Sequence, residues 1–170
     1  QILFLRQIAR RTWYFFETFV GPKENWLPPD NFQEHPVATV AHRTSPTNMG
    51  LSLLANLAAY DFGYISTGQL VERTTNTLRS METLERYAGH FYNWYDTQTK
   101  APLTRYVSTV DSGNLAGHLL TLRAGLLEII DTPVIREQVF LGLGETFRIL
   151  QEEVGSGAVP SLAQFEHALV

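Results

Sequence analysis

Residues 90–96 alternate aromatic rings with polar side chains, in the order His90, Phe91, Tyr92, Asn93, Trp94, Tyr95 and Asp96. Each Trp or Tyr offers a large apolar face with one hydrogen-bonding end. Rings flanked by aspartate, asparagine and histidine suit a ligand with apolar faces and hydroxyl edges, such as a sugar. The alternative is that the rings cover a helical core beneath a long loop. This stretch alone does not choose between the two.

Acidic residues on the predicted loops are candidates for glycoside chemistry, which needs two carboxyl groups about 5 to 9.5 Å apart. The candidates are Glu34, Asp96 and Asp111, with Asp30 behind them. None is marked out as acid or nucleophile, so the catalytic residues stay unassigned. Asp111 has a second interpretation, because Asp111 or Ser112 also fits the N-cap of the following helix.

Other chemistries find little support in the sequence. The histidines at 35, 42, 90 and 118 lack metal-ligand spacing, and there is no cysteine, nucleophile elbow or phosphate loop. His118 on an apolar helix face is more simply a hydrogen-bonded core residue than a ligand. A net charge of −4 without a basic run argues against a nucleic-acid partner. We expect no metal and no cofactor.

Composition favours a globular helical chain. Of its 170 residues, 44% are hydrophobic and 18% charged, which is enough to bury a core. No apolar run reaches the roughly 18 to 20 residues of a membrane helix, and no signal peptide is evident. The chain starts without Met inside one predicted helix and ends inside another. We therefore expect a piece of a longer polypeptide, with any membrane spans elsewhere.

Apolar residues at helical spacing predict helices over residues 2–19, 46–61, 67–87, 112–130 and 133–153. A sixth helix is predicted from residue 160 or 161. Ser45 and Pro46 form a strong start signal for the second helix. The expected fold class is all-α, with antiparallel helix hairpins in a single domain over residues 1–170.

The connections between these helices alternate between long and short. If neighbouring helices are antiparallel, loops 20–45 and 88–110 lie at one end, together with the N-termini of the second and fourth helices. Long structured loops are usually functional. Capping explains Ser45 and Pro46, but it does not explain Arg43 or Asn48, which suit a ligand at a helix N-terminus.

Five blocks of sequence resemble one known family, the cyclic β-1,2-glucan synthases. The blocks are RTWYFFE at 11–17, NWLPPDNFQE at 25–34, AHRTSPTN at 41–48, GHFYNWYD at 89–96 and VDSGNLAGH at 110–118. They occur in order and cover roughly residues 5 to 125. The resembling region lies between the glycosyltransferase and the C-terminal phosphorylase-like domain of these large membrane proteins.

The resemblance implies a glucoamylase-like (α/α)6 toroid, of which this chain is the N-terminal half. It implies cyclisation of linear β-1,2-glucan by transglycosylation, with catalytic glutamates beyond residue 170, so that the chain alone is inactive. It also implies a position at the cytoplasmic face of the inner membrane within a multi-pass parent. The expected partners are β-1,2-glucan and the remaining domains of that parent.

The residues expected to contact glucan lie on the two long loops and at the starts of the second and fourth helices. They are Trp26, Asp30, Gln33, Glu34, Arg43, Thr44, Asn48, Asn93, Trp94, Tyr95, Asp96, Asp111, Ser112 and Asn114.

A second hypothesis is a non-catalytic helical module that packs the domains of the synthase together. Glucan binding requires Trp26, Trp94 and Tyr95 to line an open cleft, whereas a packing module buries them at a domain interface. Both hypotheses predict an exposed apolar flank and self-association of the isolated chain.

Overall fold

A computed structural model describes residues 2–133 and 135–154. Within them, five helices follow the predicted order, and the sixth predicted helix lies outside the described residues. The helices are α1 (Ile2–Phe19), α2 (Pro46–Asp61), α3 (Thr67–Glu82), α4 (Thr109–Ile129) and α5 (Glu137–Val154). None of these helices is long and apolar enough to cross a membrane.

Local capping signals set the starts of three helices. The Ser45 side chain accepts a hydrogen bond from the Asn48 N–H, and Pro46 follows as the first residue of α2. Ser66 and Gln69 form a reciprocal capping box at α3. The predicted cap of α4 at Asp111 or Ser112 is wrong, because Ser108 caps this helix by accepting from the Asp111 N–H at 3.2 Å.

Two other helix boundaries differ from the prediction. Helix α3 ends at Glu82 rather than near residue 87, because a β-hairpin of β4 (Arg86–Tyr87) and β5 (His90–Phe91) follows it. Its turn residues Ala88 and Gly89 have φ values of 49° and 84°, the left-handed region that such tight turns require. Helix α5 begins at Glu137 rather than at residue 133.

Short strand pairs, which the sequence did not predict, organise the long loops. Strand β1 (Phe32–Gln33) pairs with β2 (Thr39–Val40), and β3 (Arg43–Thr44) pairs with β6 (Tyr95–Asp96), both antiparallel. In the second pair Arg43 lies opposite Asp96. This pair joins the two long loops directly, so it brings the first half of the chain to the aromatic stretch.

Helices α2 and α4 lie side by side and run in the same direction. Thr47 contacts Asp111 near the N-termini, and further along a Cβ built on Gly50 would meet His118 and one built on Gly125 would meet Leu57. The residue numbers at these three contacts increase in the same direction along both helices, so α2 and α4 are parallel. The predicted meeting of their N-termini at one end is therefore confirmed.

The core of the described residues lies along this helix pair and under α1. One cluster combines residues of both loops and several helices, namely Leu27, Met49, Leu53, Met81, Leu84, Tyr92, Tyr95, Leu115 and Leu122. A second cluster comprises Trp13, Ala59, Tyr60, Ile65 and Leu70. His118 is half-buried, but its Nδ1 finds no hydrogen-bond partner in the described part of the chain, contrary to the expectation of a hydrogen-bonded core histidine.

Candidate functional site

The carboxylate of Asp30 joins the first long loop to β3 and to the start of α2. Its Oδ2 accepts from Arg43 Nη2 at 3.0 Å and from Asn31 Nδ2 at 3.1 Å. Its Oδ1 accepts from Asn48 Nδ2 at 3.2 Å. A single carboxylate thus orients three side chains that carry hydrogen-bond donors, all at the N-terminal end of α2.

Arg43 also covers the ring of Trp94 from the second long loop. The guanidinium carbon lies 4.8 Å from the ring centroid, within the range of a cation–π interaction. Trp94 has a φ of 90°, a conformation that the surrounding loop must hold in place. We call Asp30, Asn31, Arg43, Asn48 and Trp94 the Asp30 network.

A second polar bridge links the starts of α2 and α4. Thr47 Oγ1 donates to Asp111 Oδ1 at 2.7 Å, and Asn114 Nδ2 donates to Thr47 Oγ1 at 3.1 Å. Burial alone raises the pKa of Asp111, but hydrogen bonds from residues including Ser108 and Thr47 outweigh it and hold this pKa below its usual value. Asp111 is therefore ionised at the paired helix N-termini, where helix dipoles favour a negative charge.

A shallow groove of about 510 Å³ adjoins the Asp30 network. Its lining is mostly polar and comes from the β1–β2 hairpin, from β3 and from the second long loop: Asn31, Gln33, Thr39, Ala41, His42, Arg43 and Leu103. Asn31 and Arg43 belong to both the groove and the network. Donors and acceptors along an open groove suit a ligand with several hydroxyl groups.

Comparison with known proteins shows what the chain resembles. No known family profile matches it. Over 150 residues, 87% of its length, the chain is 45% identical to the cyclic β-(1,2)-glucan synthase NdvB of Rhizobium meliloti (strain 1021). The chain is a relative of the cyclic β-1,2-glucan synthases. It spans about 5% of the length of NdvB.

Solved structures agree with the expected fold. A glucoamylase-like protein of Bacteroides fragilis NCTC 9343 matches 85% of this chain with a TM-score of 0.57 at 19% identity, over 34% of its own length. Another, of Bacteroides caccae ATCC 43185, matches 85% with a TM-score of 0.60 at 20% identity, over 35% of its length. At such identity the likeness shows the fold alone. The predicted all-α class, as part of a toroid of α-hairpins, is confirmed.

Within this relative of the glucan synthases, several predicted contact residues lie at the groove or beside it. Asp30, Arg43, Asn48 and Trp94 form the network, and Gln33 lines the groove from β1. The remaining exposed residues lie further out on the same two loops or helix starts, namely Glu34 and Asn114. The Ser112 hydroxyl instead donates to the Ser108 carbonyl at 2.8 Å, within its own helical turn.

Two predicted contact residues are fully buried, so the expectation that they touch a ligand is wrong. Thr44 and Tyr95 face each other across β3 and β6, and both are 0% exposed. The Tyr95 hydroxyl donates to the Glu85 carbonyl at 2.6 Å and accepts from the Tyr92 N–H at 2.7 Å. Their role is to hold the two loops together beneath the groove.

Three further predicted residues shape the loops. The Asp96 carboxylate accepts from Thr99 N–H at 2.7 Å and also from Gln98 N–H, and chiefly the Thr99 backbone bond holds the pKa of Asp96 below its usual value. The Asn93 carbonyl accepts from the Thr104 hydroxyl at 2.6 Å, and the Asn93 N–H donates to the Tyr106 carbonyl at 2.7 Å. Trp26 lies against Arg73 of α3 at 5.8 Å and does not line the groove. Of the three aromatic residues expected to line an open cleft, only Trp94 therefore lies beside the groove, through its contact with Arg43.

Neither Asp96 nor Asp111 fits the role of the general acid of a glycosidase. A general acid needs a raised pKa, yet the pKa values of both Asp96 and Asp111 are lowered. Asp61 does have a pKa raised by burial, but it lies at the opposite end of α2. In residues 2–133 and 135–154, no cluster of His, Asp or Glu could hold a metal ion. The geometry suits binding and orientation of a ligand.

Sequence reasoning missed a cluster around Glu24, which lies just under the groove. Glu24 is only 6% exposed and bonds to His42, Thr97 and Gln98. His42 could have been noticed, because it precedes Arg43 in one of the five blocks. Nothing in the neighbouring sequence indicates that Glu24 is buried, since its partners are His42, just before β3, and Thr97 and Gln98 of the second long loop.

Proposed function

We propose that this chain is part of the glucan-cyclising region of a cyclic β-1,2-glucan synthase and binds β-1,2-glucan along the groove and the Asp30 network. In this role it positions linear glucan for cyclisation by transglycosylation, whose acid and base come from another part of the parent. The parent is a multi-pass protein, and this region works at the cytoplasmic face of the inner membrane. The relationship to NdvB supports the proposal.

The observation that carries the proposal is the convergence of the Asp30 network beside the groove. Arg43 stacks on Trp94 while its guanidinium bonds Asp30, and Asn48 shares the same carboxylate. An indole ring beside fixed amide and guanidinium donors matches the two requirements of sugar recognition, which are an apolar ring face and paired hydroxyl edges.

Titration with linear β-1,2-glucan oligosaccharides tests the proposal. We expect saturable binding with a change in tryptophan fluorescence, and a loss of affinity of about tenfold in Trp94→Ala, since the removed ring supplies the stacking surface. Calorimetry on the same samples gives the dissociation constants independently of the fluorophore.

The matched control is Tyr14→Ala, which removes an exposed aromatic ring from α1 that belongs neither to the groove lining nor to the Asp30 network. This variant is expected to bind like the unaltered chain. Equal affinity in Trp94→Ala and Tyr14→Ala, with both folded by circular dichroism, would contradict the proposed site. Absence of binding in the unaltered chain and in the complete parent protein would reject glucan binding by this region.

One face of α4 suits a second candidate function, a module that packs domains of the parent together, although half a toroid exposes such a face as well. Exposed apolar or small residues recur there at alternating spacings of three and four, at Val110, Gly113, Gly117, Leu120, Ala124 and Leu127. We call this surface the apolar flank. Its Leu120 is 71% exposed, and no atom lies within 4 Å of a Cβ built on Gly117. Such spacing suits close packing of another helix.

The apolar flank predicts self-association of the isolated chain. We expect its apparent mass in sedimentation to rise with concentration, because each copy offers an unpartnered helix face. Leu120→Lys should shift the chain toward monomer, since a lysine at the centre of the flank opposes burial. Val71→Lys, at an exposed apolar position of α3, is the control. A chain that stays monomeric at every concentration, with Leu120 unaltered, would contradict this prediction.

A further inference from the structure

A buried carboxylate lies beneath the groove and is held by three side chains. Glu24 follows Pro22 and Lys23 in a short 3-10 turn and is 6% exposed. His42 Nδ1 lies 3.0 Å from each of its oxygens. Gln98 Nε2 donates to its Oε1 at 3.2 Å, and the Thr97 hydroxyl donates to its Oε2. An unpaired buried charge is costly, and here the carboxylate is well satisfied.

The surrounding backbone fixes this cluster at both ends. Thr97 N–H donates to the carbonyl of His42 at 3.1 Å. The side-chain amide of Asn25 donates to the backbone carbonyls of both Thr97 and Gln98, each at 2.8 Å. The first and second long loops are therefore joined around Glu24, and the His42 side chain has little freedom to turn.

The charge state of Glu24 decides which nitrogen of His42 carries the proton. Burial alone raises the pKa of Glu24, but the hydrogen bonds from Thr97, His42 and Gln98 together leave this pKa below its usual value. An ionised carboxylate only accepts hydrogen bonds, so His42 Nδ1 must donate to it. The 3.3 Å separation between Gln98 Nε2 and His42 Nδ1 follows from both groups donating to one carboxylate.

The tautomer leaves one ring nitrogen for a ligand. In a neutral imidazole with its proton on Nδ1, Nε2 is a hydrogen-bond acceptor. The His42 side chain remains 43% exposed and lines the groove beside Arg43. Arg43 and Asn31 bring donors to the same groove. A sugar hydroxyl both donates and accepts, so a groove that binds it needs an acceptor among these donors.

We infer, resting on the proposed function, that His42 Nε2 accepts a hydrogen bond from a glucan hydroxyl in the groove, and that Glu24 is the positioning residue that fixes its ring. Glu24 does not touch the sugar. It acts through His42 by holding the Nδ1–H tautomer and the ring direction, as a second-layer carboxylate does for a histidine ligand.

Nitrogen-15 NMR of the imidazole rings in the 170-residue chain tests both parts. In the neutral ring of His42 we expect a protonated Nδ1 and an unprotonated Nε2. Addition of linear β-1,2-glucan oligosaccharides should shift the Nε2 resonance of His42, whereas that of the exposed His90 should stay in place. This measurement uses the unaltered chain, so it does not depend on whether a variant folds.

Two variants separate contact from positioning. His42→Ala should weaken glucan binding by about tenfold, the effect of one lost hydrogen bond. Glu24→Gln should keep the ring but mix its tautomers, with a smaller loss of affinity. His90→Ala, which changes an exposed histidine of β5, should bind normally.

The outcomes distinguish this inference from the proposed function. Glucan binding with an unmoved His42 Nε2 resonance, or an Nε2–H tautomer in the unaltered chain, would overturn the role of His42 and leave the proposed function standing. Absence of glucan binding in both the chain and the complete parent would overturn both together.

Discussion

Alanine in place of Gly63 is expected to lower the free energy of unfolding by about 3 kcal/mol. Gly63 lies in the turn between α2 and α3 with a φ of 79°, where an L side chain is strained. Its Cβ would also lie 1.9 Å from the Gln138 carbonyl oxygen of α5. Backbone atoms cannot rotate away, so α5 would have to move as a unit.

The same close approach constrains the other side of the contact. A Cβ on Gly142 of α5 would lie 2.5 Å from the carbonyl oxygen of Gly63. Two glycines therefore allow the α2–α3 turn to touch α5 backbone to backbone. Urea unfolding followed by circular dichroism measures the effect of Gly63→Ala on the described fold.

Gly144→Ala is the matched control, because Gly144 belongs to the same helix and nothing lies within 4 Å of its Cβ. Alanine is the better helix former, so this variant should be neutral or more stable by up to about 1 kcal/mol. Equal stability of Gly63→Ala and Gly144→Ala would contradict the close backbone contact between the α2–α3 turn and α5.

Asp30→Ala is expected to lower the affinity for linear β-1,2-glucan by about a hundredfold. The carboxylate orients Arg43, Asn48 and Asn31, so its removal frees all three donors at once. This loss corresponds to two or three charge-assisted hydrogen bonds, which hold the donors in place before the ligand binds. Calorimetric titration gives the affinity.

The fold itself should tolerate this change. The Arg43–Asp30 pair is partly exposed to solvent, and such pairs contribute little to stability. The backbone N–H of Asp30 donates to the Ala41 carbonyl at 3.1 Å, and a side-chain substitution leaves this backbone bond available to close the loop. Glu82→Ala removes an exposed carboxylate at the end of α3 and serves as the control for net charge. Unchanged affinity in a folded Asp30→Ala chain would exclude the Asp30 network from the glucan site.

The sequence by itself determined the helices, because their signals are local. Apolar residues at helical spacing gave α1 and α2 with the bounds that the structure has, and Ser45 with Pro46 marked the start of α2. The alternation of long and short connections placed the starts of α2 and α4 at one end. The five blocks identified the relatives. Each of these inferences needs only neighbouring residues or chain lengths.

Only the tertiary structure decided which side chains of the long loops face a ligand. A strand of two residues is too short to show an alternating pattern, so the sequence did not predict the pairing of β3 with β6. It therefore did not predict the burial of Thr44 and Tyr95, which depends on that pairing. The cap at Ser108 was missed because several polar residues in succession could each cap α4.

Glu24 shows most clearly why the sequence does not reveal the surroundings of a buried charged residue. Its partners His42 and Thr97 lie 18 and 73 residues further along the chain. Whether a glutamate is solvated or buried depends on which donors surround it, and those donors are brought together only when the two loops pair. Local sequence specifies a helix, whereas the environment of a charged side chain is a property of the assembled fold.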